Sequence, residues 1–376
     1  MDSYHDIMAG PNTWRIGHLA VSLEGNAPMA GYLASELSHL PSATGAERGH
    51  LRVVLGDVPE LTGGVQLEEH VMGDTRFVVD RRLIRVGLNT EDASVVRIAA
   101  NEEPRSAIRD FHVRLRDINY LPAVDRVAKD AVYGALIPVV QLAQLPLRQT
   151  WLHASVVARS GRAVALAAWG GVGKTSLMLQ LVHHQGWQFL ADDLAVLDDS
   201  GTVHRSPWRI QLYAYSLEGE GSLRRRLFAG RGLVDRFQWY ALLWKRGPMQ
   251  VRRRVHASEL FGDAGVADAA KLGRALFLRR IDGDAFSVRD AEPDRAAAAA
   301  AATLEFDLDI LHRWQLAASG SVSEPSLPRP SETSAQSEQV IRSALIESGA
   351  ECLLVDIPVR AGPHEVLEYV SPLLEA

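Results

Sequence analysis

The chain has 376 residues, 47% of them hydrophobic and 23% charged, which is the composition of an ordinary globular protein with one large domain or two. Its formal net charge of −6 at pH 7 gives no electrostatic reason to expect a nucleic-acid partner. Its single cysteine, Cys352, excludes a disulfide framework and a multi-cysteine zinc site, and it favours a reducing compartment.

The first part of the chain predicts a small α+β region. Short β-branched runs separated by turn residues predict an antiparallel sheet with strands at residues 51–58, 65–72, 76–79, 83–86 and 94–98. Residues 106–145 then carry apolar side chains at helical spacing, which predicts helix. We divide the chain into an N-terminal region, residues 1–125, and a larger second domain, residues 126–376.

Neither a secretory signal nor a membrane span is expected from the sequence. The first ten residues carry acidic side chains and lack a basic segment followed by an apolar one. The longest uncharged run, residues 131–147, is short for a bilayer and contains two prolines and two glutamines. We therefore expect a cytoplasmic protein with neither a membrane nor a nucleic-acid partner.

From residue 150 onward the pattern changes to strands that alternate with helices. Strands are predicted at residues 151–158, 163–168, 189–197 and 352–357, and a helix at Lys174–His184. The alanine run at residues 296–302 predicts an exposed or loosely packed helix. Residues 319–337 are rich in serine, proline and glutamate, which predicts a flexible loop.

The stretch AVALAAWGGVGKTSLMLQLV, residues 163–182, has the form of a phosphate-binding loop between a strand and a helix. In the general pattern a glycine precedes four residues and a Gly-Lys-Ser/Thr triplet, and here Ala168 replaces that first glycine. The remaining glycines give the backbone the freedom to turn successive N–H groups toward an anion. We predict that a nucleoside triphosphate is held by Gly170, Gly171, Val172, Gly173, Lys174, Thr175 and Ser176.

Polar residues in and around this loop predict the chemistry of the site. Lys174 is expected at the β- and γ-phosphates, and Thr175 is expected to offer its hydroxyl to Mg²⁺. His153 lies on the predicted strand before the loop, and Asp192 and Asp193 lie on the strand after the helix. Consecutive carboxylates in an apolar strand are costly to bury unless they are paired or metal-bound. Because side chains alternate along a strand, we expect one carboxylate to face the nucleotide and the other to contact Mg²⁺, its water shell or a structural partner.

The strand with His153, the glycine loop and the strand with Asp192 and Asp193 follow one another at a characteristic spacing. Over residues 149–200 this pattern resembles the catalytic domain of the HPr kinase/phosphorylase family. That family includes HPr-kinase-related serine kinases of peptide natural-product clusters. The resemblance implies an α/β fold with a P-loop kinase core of the HPr kinase C-terminal and phosphoenolpyruvate carboxykinase type, a mixed sheet with flanking helices. It implies transfer of the γ-phosphoryl group of ATP, with Mg²⁺, to a hydroxyl, most simply that of serine, on a peptide or a small molecule. A homo-oligomer is left open, since HPr kinases form rings.

The resemblance also assigns roles to individual residues. His153 matches the histidine beside the transferred phosphate, and Asp192 matches the aspartate that acts as base toward the acceptor hydroxyl. Asp193 is its neighbour and is expected to help Thr175 hold Mg²⁺. The catalytic candidates are therefore His153, Lys174 and Asp192, although the sequence does not fix which of the two aspartates is the base.

The chain departs from the family pattern in ways that bear on the acceptor. Besides Ala168, the residue Trp169 takes a place usually filled by a small or polar side chain. No segment resembles the one that contacts the HPr protein, and in its place lies a basic window, residues 205–254, with twelve Lys or Arg against three acids. Arg205 and Arg209 are nearest to the site in sequence and are candidate contacts for an acidic acceptor. The alternative is that most of this window forms a solvated helix face.

Two functions follow from these features. The first is an ATP- and Mg²⁺-dependent phosphotransferase that acts on a hydroxyl. The second is a nucleotide-binding adaptor or regulator of a biosynthetic cluster with little or no phosphoryl transfer, which Ala168 and Trp169 favour. A nucleotide hydrolase coupled to movement is a weaker third, because the chain lacks an obvious second acidic strand distant from the loop.

Overall fold

The structure is a computed structural model, and it describes residues 13–25, 29–56, 58, 65–67, 70–73, 76–80, 84–89, 94–100, 106–319 and 327–375. Within these residues the strands form two large mixed sheets and one two-stranded ribbon, with helices packed against them. The chain is therefore a mixed α/β protein.

The first sheet is built from the N-terminal region. Its strands are β1 (Thr13–Ile16), β2 (Leu19–Glu24), β3 (Gly49–Leu55), β4 (Val65–Leu67), β5 (His70–Gly73), β6 (Arg76–Asp80), β7 (Ile84–Asn89) and β8 (Val95–Ala100). They lie in the order β1-β2-β3-β8-β7-β6-β5-β4. Helix α1 (Ala30–Leu37) follows β2 and packs its apolar face on the core of this sheet.

The predicted antiparallel pairing is wrong in the centre of this sheet. Strands β2 and β3 pair in parallel, because α1 carries the chain from the end of β2 back to the edge where β3 begins, and β3 also pairs in parallel with β8. The pairs from β4 to β8 are antiparallel, as predicted. The strand predicted at residues 65–72 is two strands, since β4 and β5 pair with each other.

A helical segment joins the two sheets, as the spacing of residues 106–145 predicts. It contains α2 (Ala107–Arg116), α3 (Ala123–Ala131), a π-helical turn (Val132–Leu136) and α4 (Ile137–Gln144). The boundary predicted at residue 125 falls inside α3, and α3 and α4 share one hydrophobic core with the first sheet. The stretch Ala123–Leu147 is long and apolar enough to cross a membrane by length and composition. Of its most apolar window, 67% is buried inside the protein, so this stretch packs as part of the core.

The second sheet carries the predicted phosphate-binding loop. Its strands are β9 (Gln149–Arg159), β10 (Arg162–Ala167), β11 (Gln188–Ala191), β12 (Leu194–Asp198), β13 (Thr202–His204), β16 (Ala269–Ile281), β17 (Ser287–Asp290) and β18 (Glu351–Pro358), while β14 (Ile210–Tyr213) and β15 (Arg252–Val255) form the separate ribbon. The strand β10 pairs in parallel with β16, and β16 pairs in parallel with β18. The strand β9 pairs antiparallel with β10, β11 and β12.

Helices cover both faces of this second sheet. The helices of this half are α5 (Lys174–His184), α6 (Gly221–Leu227), α7 (Leu233–Arg246), α8 (Ala257–Phe261), α9 (Pro293–Asp307), α10 (Asp309–Ser319), α11 (Pro330–Ser348) and α12 (Pro363–Glu375). Along β10, Val164 and Leu166 belong to one core with α5 and α12, whereas Ala163, Ala165 and Ala167 belong to another with α9 and α11. This alternation follows from the two-residue period of a strand.

Three predictions in this half need correction. The strand predicted at residues 189–197 is interrupted at Asp192 and Asp193, which separate β11 from β12. The alanine run is helical, in α9, but its side chains at 296, 297, 300 and 301 are buried, because they pack on the alanine-rich face of β9 and β10. Residues 330–337 form the start of α11, where Pro330 and a capping interaction between Arg329 and Glu332 begin a helix. Residues 320–326 of the predicted loop lie outside the described residues.

Candidate functional site

The predicted phosphate-binding loop connects the end of β10 to the start of α5, as the motif requires. Gly171 and Gly173 have φ angles of +83° and +111°, which glycine adopts readily. A Cβ atom at Gly170, Gly171 or Gly173 would meet no other atom within 4 Å, so the space around these glycines is open. The loop ends at the N-terminus of α5, where backbone N–H groups favour an anion. These features fit a loop that wraps a phosphate group.

Ala168, which replaces the first glycine, does not need a conformation that only glycine adopts. Positive φ angles at non-glycine positions occur, within the described ranges, at Tyr120, Arg148, Ser160 and Asp193. The side chain of Ala168 is buried, and its carbonyl accepts a hydrogen bond from Lys174 Nζ. The departure from the motif is therefore compatible with the loop's backbone.

Trp169 lies at the outer surface of the loop, with 52% of its surface exposed. Its ring meets that of Phe306 edge to face, with centroids 5.7 Å apart. Phe306 belongs to the last turn of α9, so this contact places the end of that helix beside the loop. The next residue, Asp307, is thereby brought to the site.

Lys174, His153 and Asp307 form a hydrogen-bonded chain. The Nζ atom of Lys174 lies 2.5 Å from His153 Nε2 and 2.5 Å from the carbonyl oxygen of Ala168. An ammonium group has donors only, so Nε2 must accept, and the imidazole proton sits on Nδ1. That Nδ1–H donates to the carboxylate of Asp307. The carboxylate thus fixes the tautomer of the histidine and, through it, the position of the lysine.

The environment of Lys174 combines burial with negative charge. Its side chain is largely withdrawn from water, and burial lowers the pKa of the ammonium group below its ordinary value. The charges of Asp193, Asp192 and Asp307 oppose that shift and favour the protonated form. Three carboxylates therefore surround the cation that the motif places against the phosphates.

Asp192 joins the loop to the strand β9. Its Oδ1 accepts hydrogen bonds from Ser155 Oγ at 2.6 Å and from Thr175 Oγ1 at 3.0 Å. Ser155 is two residues beyond His153, so both side chains project from the same face of β9. Through Asp192, the loop, the strand β9 and the turn after β11 meet at one point.

Burial and a like charge perturb the Asp192 carboxyl group. Only 7% of Asp192 is exposed, and burial, together with the charge of Asp193, raises its pKa to about 7. The hydrogen bonds from Ser155 and Thr175 and the charge of Lys174 act in the opposite direction. A carboxyl group with a pKa near neutrality, in contact with Thr175 of the loop, marks a candidate functional site.

Asp193 occupies the turn that breaks the predicted strand. Its φ angle is +65°, and the N–H of Leu194 donates to the carbonyl of Asp192, which closes a three-residue turn around it. A left-handed conformation at a residue other than glycine costs roughly 1–3 kcal/mol and persists where the surroundings impose it. The turn leaves the Asp193 side chain exposed while Asp192 stays buried. The two carboxylates therefore differ in exposure because of the turn, and no strand alternation is involved.

The structure gathers most of the predicted site residues around the loop and adds one that the sequence did not reveal. His153, Lys174, Thr175, Asp192 and Asp193 lie together, and Ser176 Oγ contacts Ser216 Oγ at 3.3 Å. Val172 is buried, and its carbonyl accepts a hydrogen bond from Arg280 at 3.3 Å. Asp307 was missed, because it follows an alanine-rich helix and carries no motif of its own.

Arg205 and Arg209 have structural partners in the N-terminal region. Arg205 donates to the carbonyls of Ala267 and His39 and forms an ion pair with Asp268. Arg209 bonds to His256 Nε2 at 2.9 Å and lies 3.6 Å from the Glu36 carboxylate. The contacts with His39 and Glu36 tie α1 and the residues just after it to the segment between β13 and β14, and none of these contacts involves residues 168–176.

The rest of the basic window is divided between buried and exposed side chains. Arg253 is buried against Asp235 and Gln238, and Arg254 is buried between the hydroxyls of Tyr32 and Tyr133. The exposed cations on α6 and α7 are Arg224, Arg225, Arg226, Arg236, Lys245 and Arg246. Only part of the basic window, residues 205–254, therefore forms a solvated helix face, which was the alternative interpretation of its sequence.

Comparisons with solved structures find weak likeness, and comparisons with sequence families find none. No protein-family model matches the chain, and no curated protein matches it either. Among solved structures, the Hpr(Ser) kinase/phosphatase from Coxiella burnetii aligns with a TM-score of 0.28 and 11% sequence identity, over 60% of this chain and 96% of that chain. A likeness of this strength carries no argument about activity.

Proposed function

We propose that the chain binds ATP in the loop at residues 168–176 and transfers the γ-phosphoryl group to a hydroxyl of a peptide or small molecule. The observation that carries this proposal is the contact between Thr175 and Asp192, at 3.0 Å. It connects the loop that would hold the phosphates with the carboxylates that phosphoryl transfer needs. A structural glycine turn has no reason to pair its threonine with a buried carboxyl group whose pKa is raised to about 7.

The residues present fit a triphosphate. The open glycines of the loop leave room for phosphate oxygens beside the backbone N–H groups, and α5 begins where the loop ends. Lys174 would bind the β- and γ-phosphates, held in place by His153 and Asp307. The Lys174 side chain is buried, and its ammonium group would neutralise phosphate charge more strongly there than in bulk water.

The residues present also fit Mg²⁺. The Thr175 hydroxyl and the Asp192 carboxylate are the ligand pair that phosphate-binding loops use for this ion. Their contact favours Asp192 for the metal and leaves the exposed Asp193 to face the acceptor, the reverse of the assignment expected from sequence. When bound, Mg²⁺ supplies neutralisation of the phosphate charge.

The transfer step needs little covalent chemistry from the protein. The acceptor oxygen forms a bond to the γ-phosphorus while the bond from that phosphorus to the bridging oxygen of ADP breaks. The hydroxyl proton passes to a carboxylate of the chain, Asp193 in this assignment, which contributes on the order of 10²–10⁴-fold. Lys174 stabilises the charge that develops on the leaving oxygen.

The test uses ATP labelled at the γ-phosphate, Mg²⁺ and an extract of small molecules and peptides from the host. Label that enters one discrete product, and is lost in Lys174→Ala, would support the proposal and give the acceptor's mass. The matched control is Lys245→Ala, which removes an exposed lysine from α7. Tight ATP binding through Lys174 without any labelled product would favour the nucleotide-binding adaptor instead.

A further inference from the structure

Helix α7 carries large apolar side chains on two opposite faces. On the inner face, Trp239 and Leu242 are buried in one core with α5, and Trp239 meets Phe228 edge to face, with centroids 5.5 Å apart. On the outer face four side chains remain exposed: Leu233 (81% exposed), Phe237 (75%), Tyr240 (52%) and Trp244 (92%). They follow one another at intervals of four, three and four residues, so they form one stripe along the helix, called the outer stripe below.

The outer stripe faces away from the core against which α7 packs. A surface helix ordinarily directs one apolar face at the core and presents polar side chains on the opposite face. Single exposed apolar residues are ordinary, whereas a contiguous row of them marks an interaction surface. The row spans about 16 Å of helix, at about 1.5 Å per residue. Met249, just after the helix, is 65% exposed as well. The chain therefore presents an apolar ridge to its surroundings.

The segment that carries the outer stripe also exposes an excess of positive charge. Its exposed cations are those of α6 and α7 named above, three on each helix. The one carboxylate in residues 221–250 is Asp235, which is buried in ion pairs with Arg231 and Arg253. With 3.6 residues per helical turn, Arg236 projects from one side of the outer stripe and Lys245 from the other. An apolar ridge is therefore flanked by cations that this segment does not neutralise.

The shape and the charge of this surface together favour one kind of partner. A second copy bound through the same stripe would place these cations opposite cations, because a two-fold interface uses the same patch on both sides. An acidic protein would need a groove that fits a protruding row of side chains. A membrane with anionic lipids needs no groove, since its acyl chains adapt to apolar side chains and its phosphate groups attract Lys and Arg. Tyr and Trp are moreover enriched at membrane–water interfaces.

We propose that α7 binds the chain to an anionic lipid surface, with the outer stripe among the lipids and the exposed cations of α6 and α7 at the lipid phosphates. Because the inner face of α7 stays packed on the protein, the helix lies in the plane of the interface and does not cross the bilayer. From the sequence we expect no membrane partner, and this proposal departs from that expectation. It does not depend on the proposed function, since none of these residues takes part in the phosphoryl transfer.

The experiment is co-sedimentation of the full chain with vesicles of phosphatidylcholine alone and with vesicles of equimolar phosphatidylcholine and phosphatidylglycerol. We expect binding to the anionic vesicles to be roughly 10-fold tighter or more, and to weaken as salt rises from about 0.1 M to about 1 M. Phe237→Ser and Trp244→Ser should each weaken it roughly 10-fold, and Arg225→Gln and Lys245→Gln roughly 5-fold. The matched controls are exposed residues of helices that pack on the other face of the second sheet, Ile346→Ser on α11 and Arg295→Gln on α9, which should leave binding unchanged.

Each outcome either supports or overturns the lipid surface. A blue shift of tryptophan emission on anionic vesicles, absent in a Trp244→Phe chain that still sediments with them, would support insertion of the outer stripe. Equal binding to both kinds of vesicle, no binding, or binding that ignores Phe237→Ser and Trp244→Ser overturns the proposal. A dimer that Trp244→Ser dissociates, without vesicle binding, assigns the stripe to a second copy. Equally tight binding of poly-L-glutamate overturns the lipid in favour of an acidic polypeptide. An unchanged Tm in each variant shows that the chain is folded.

Discussion

The Nζ atom of Lys174 lies 2.5 Å from Nε2 of His153, and the Nδ1–H of that histidine donates to Asp307. The residues come from the helix after the loop, the strand before it and the end of α9. A lysine held by a neutral imidazole of fixed tautomer has its ammonium group positioned before a phosphate arrives, which reduces the entropy lost on binding. Asp307 is in this sense a positioning residue, since it acts through His153.

Replacement of Asp307 by asparagine tests this chain of contacts. The asparagine amide can donate to Nδ1, which moves the imidazole proton to Nε2 and leaves Lys174 facing a donor. We expect kcat for phosphoryl transfer to fall roughly 10- to 100-fold, as for other partners that orient a functional histidine, with a smaller change in the KM for ATP. A shift in the acid limb of the kcat–pH profile should accompany the fall. Equal loss in the surface control Asp309→Asn would contradict the positioning role.

The two neighbouring aspartates can be separated by their response to Mg²⁺. Because Asp192 contacts Thr175, we expect Asp192→Asn to raise the Mg²⁺ concentration for half-maximal transfer at least 10-fold. Asp193→Asn should instead lower kcat on the order of 10²–10⁴-fold, as for the loss of a general base, with little change in Mg²⁺ dependence. Initial rates over a Mg²⁺ series at saturating ATP measure both effects. The opposite pattern would restore the assignment expected from sequence.

The local part of the site is predictable from the sequence, and the long-range part is not. The helix predicted at Lys174–His184 coincides with α5, and the two strands predicted before the loop lie within one or two residues of β9 and β10. These features depend on neighbours in sequence: glycines, an apolar strand and an apolar helix face. Asp307 lies 154 residues from His153, and nothing in the composition of α9 distinguishes its last carboxylate.

The interrupted strand at Asp192 and Asp193 and the buried arginines of the basic window show a second limit of prediction from sequence. The apolar run around Asp192 and Asp193 has the composition of one strand, and only the left-handed backbone at Asp193 ends β11 before β12 begins. The basic window reads as solvent-exposed charge, yet Arg253 and Arg254 are buried, because partners distant in sequence satisfy them. In both cases the deciding contacts are tertiary.

The raised pKa of Asp192 predicts how stability depends on pH. Its folded pKa, about 7, lies above the ordinary value of 3.8, so the folded state holds this proton more tightly than the unfolded state does. The stability that the folded state gains from this proton on Asp192 is complete below about pH 4 and is lost as pH rises toward 7. We expect Asp192→Asn to raise Tm at pH 8 by about 2 °C or more, and to change Tm less at pH 5. A shift of about 2 °C corresponds to about 1 kcal/mol of stability for a domain of this size. Thermal unfolding at both pH values measures this, and an Asp192→Asn effect that grows toward acid pH would contradict it.

Ala168 and Gly173 of the loop should differ in how strongly their substitution affects ATP binding. Ala168 has no positive φ angle, so Ala168→Gly should change ATP affinity less than about 3-fold and cost about 0.5–1 kcal/mol of stability through backbone entropy. Gly173 has a φ angle of +111°, so Gly173→Ala forces a strained backbone at the start of α5 and should weaken ATP at least 10-fold. Binding is measured by titration with a fluorescent ATP analogue. A large gain in affinity from Ala168→Gly would show that the alanine impairs the loop and would favour the adaptor.

Arg209 distinguishes an acceptor contact from a structural bridge. Its guanidinium lies over the ring of Tyr32, beside His256 and near the buried carboxylate of Glu36. Arg209→Ala leaves these groups with fewer partners, and we expect it to lower the free energy of unfolding by about 1–3 kcal/mol without changing ATP affinity. The surface control Arg246→Ala should stay within about 0.5 kcal/mol of the parent chain. Urea unfolding gives both values. A stable Arg209→Ala chain with a raised KM for the acceptor would instead support the substrate contact predicted from sequence.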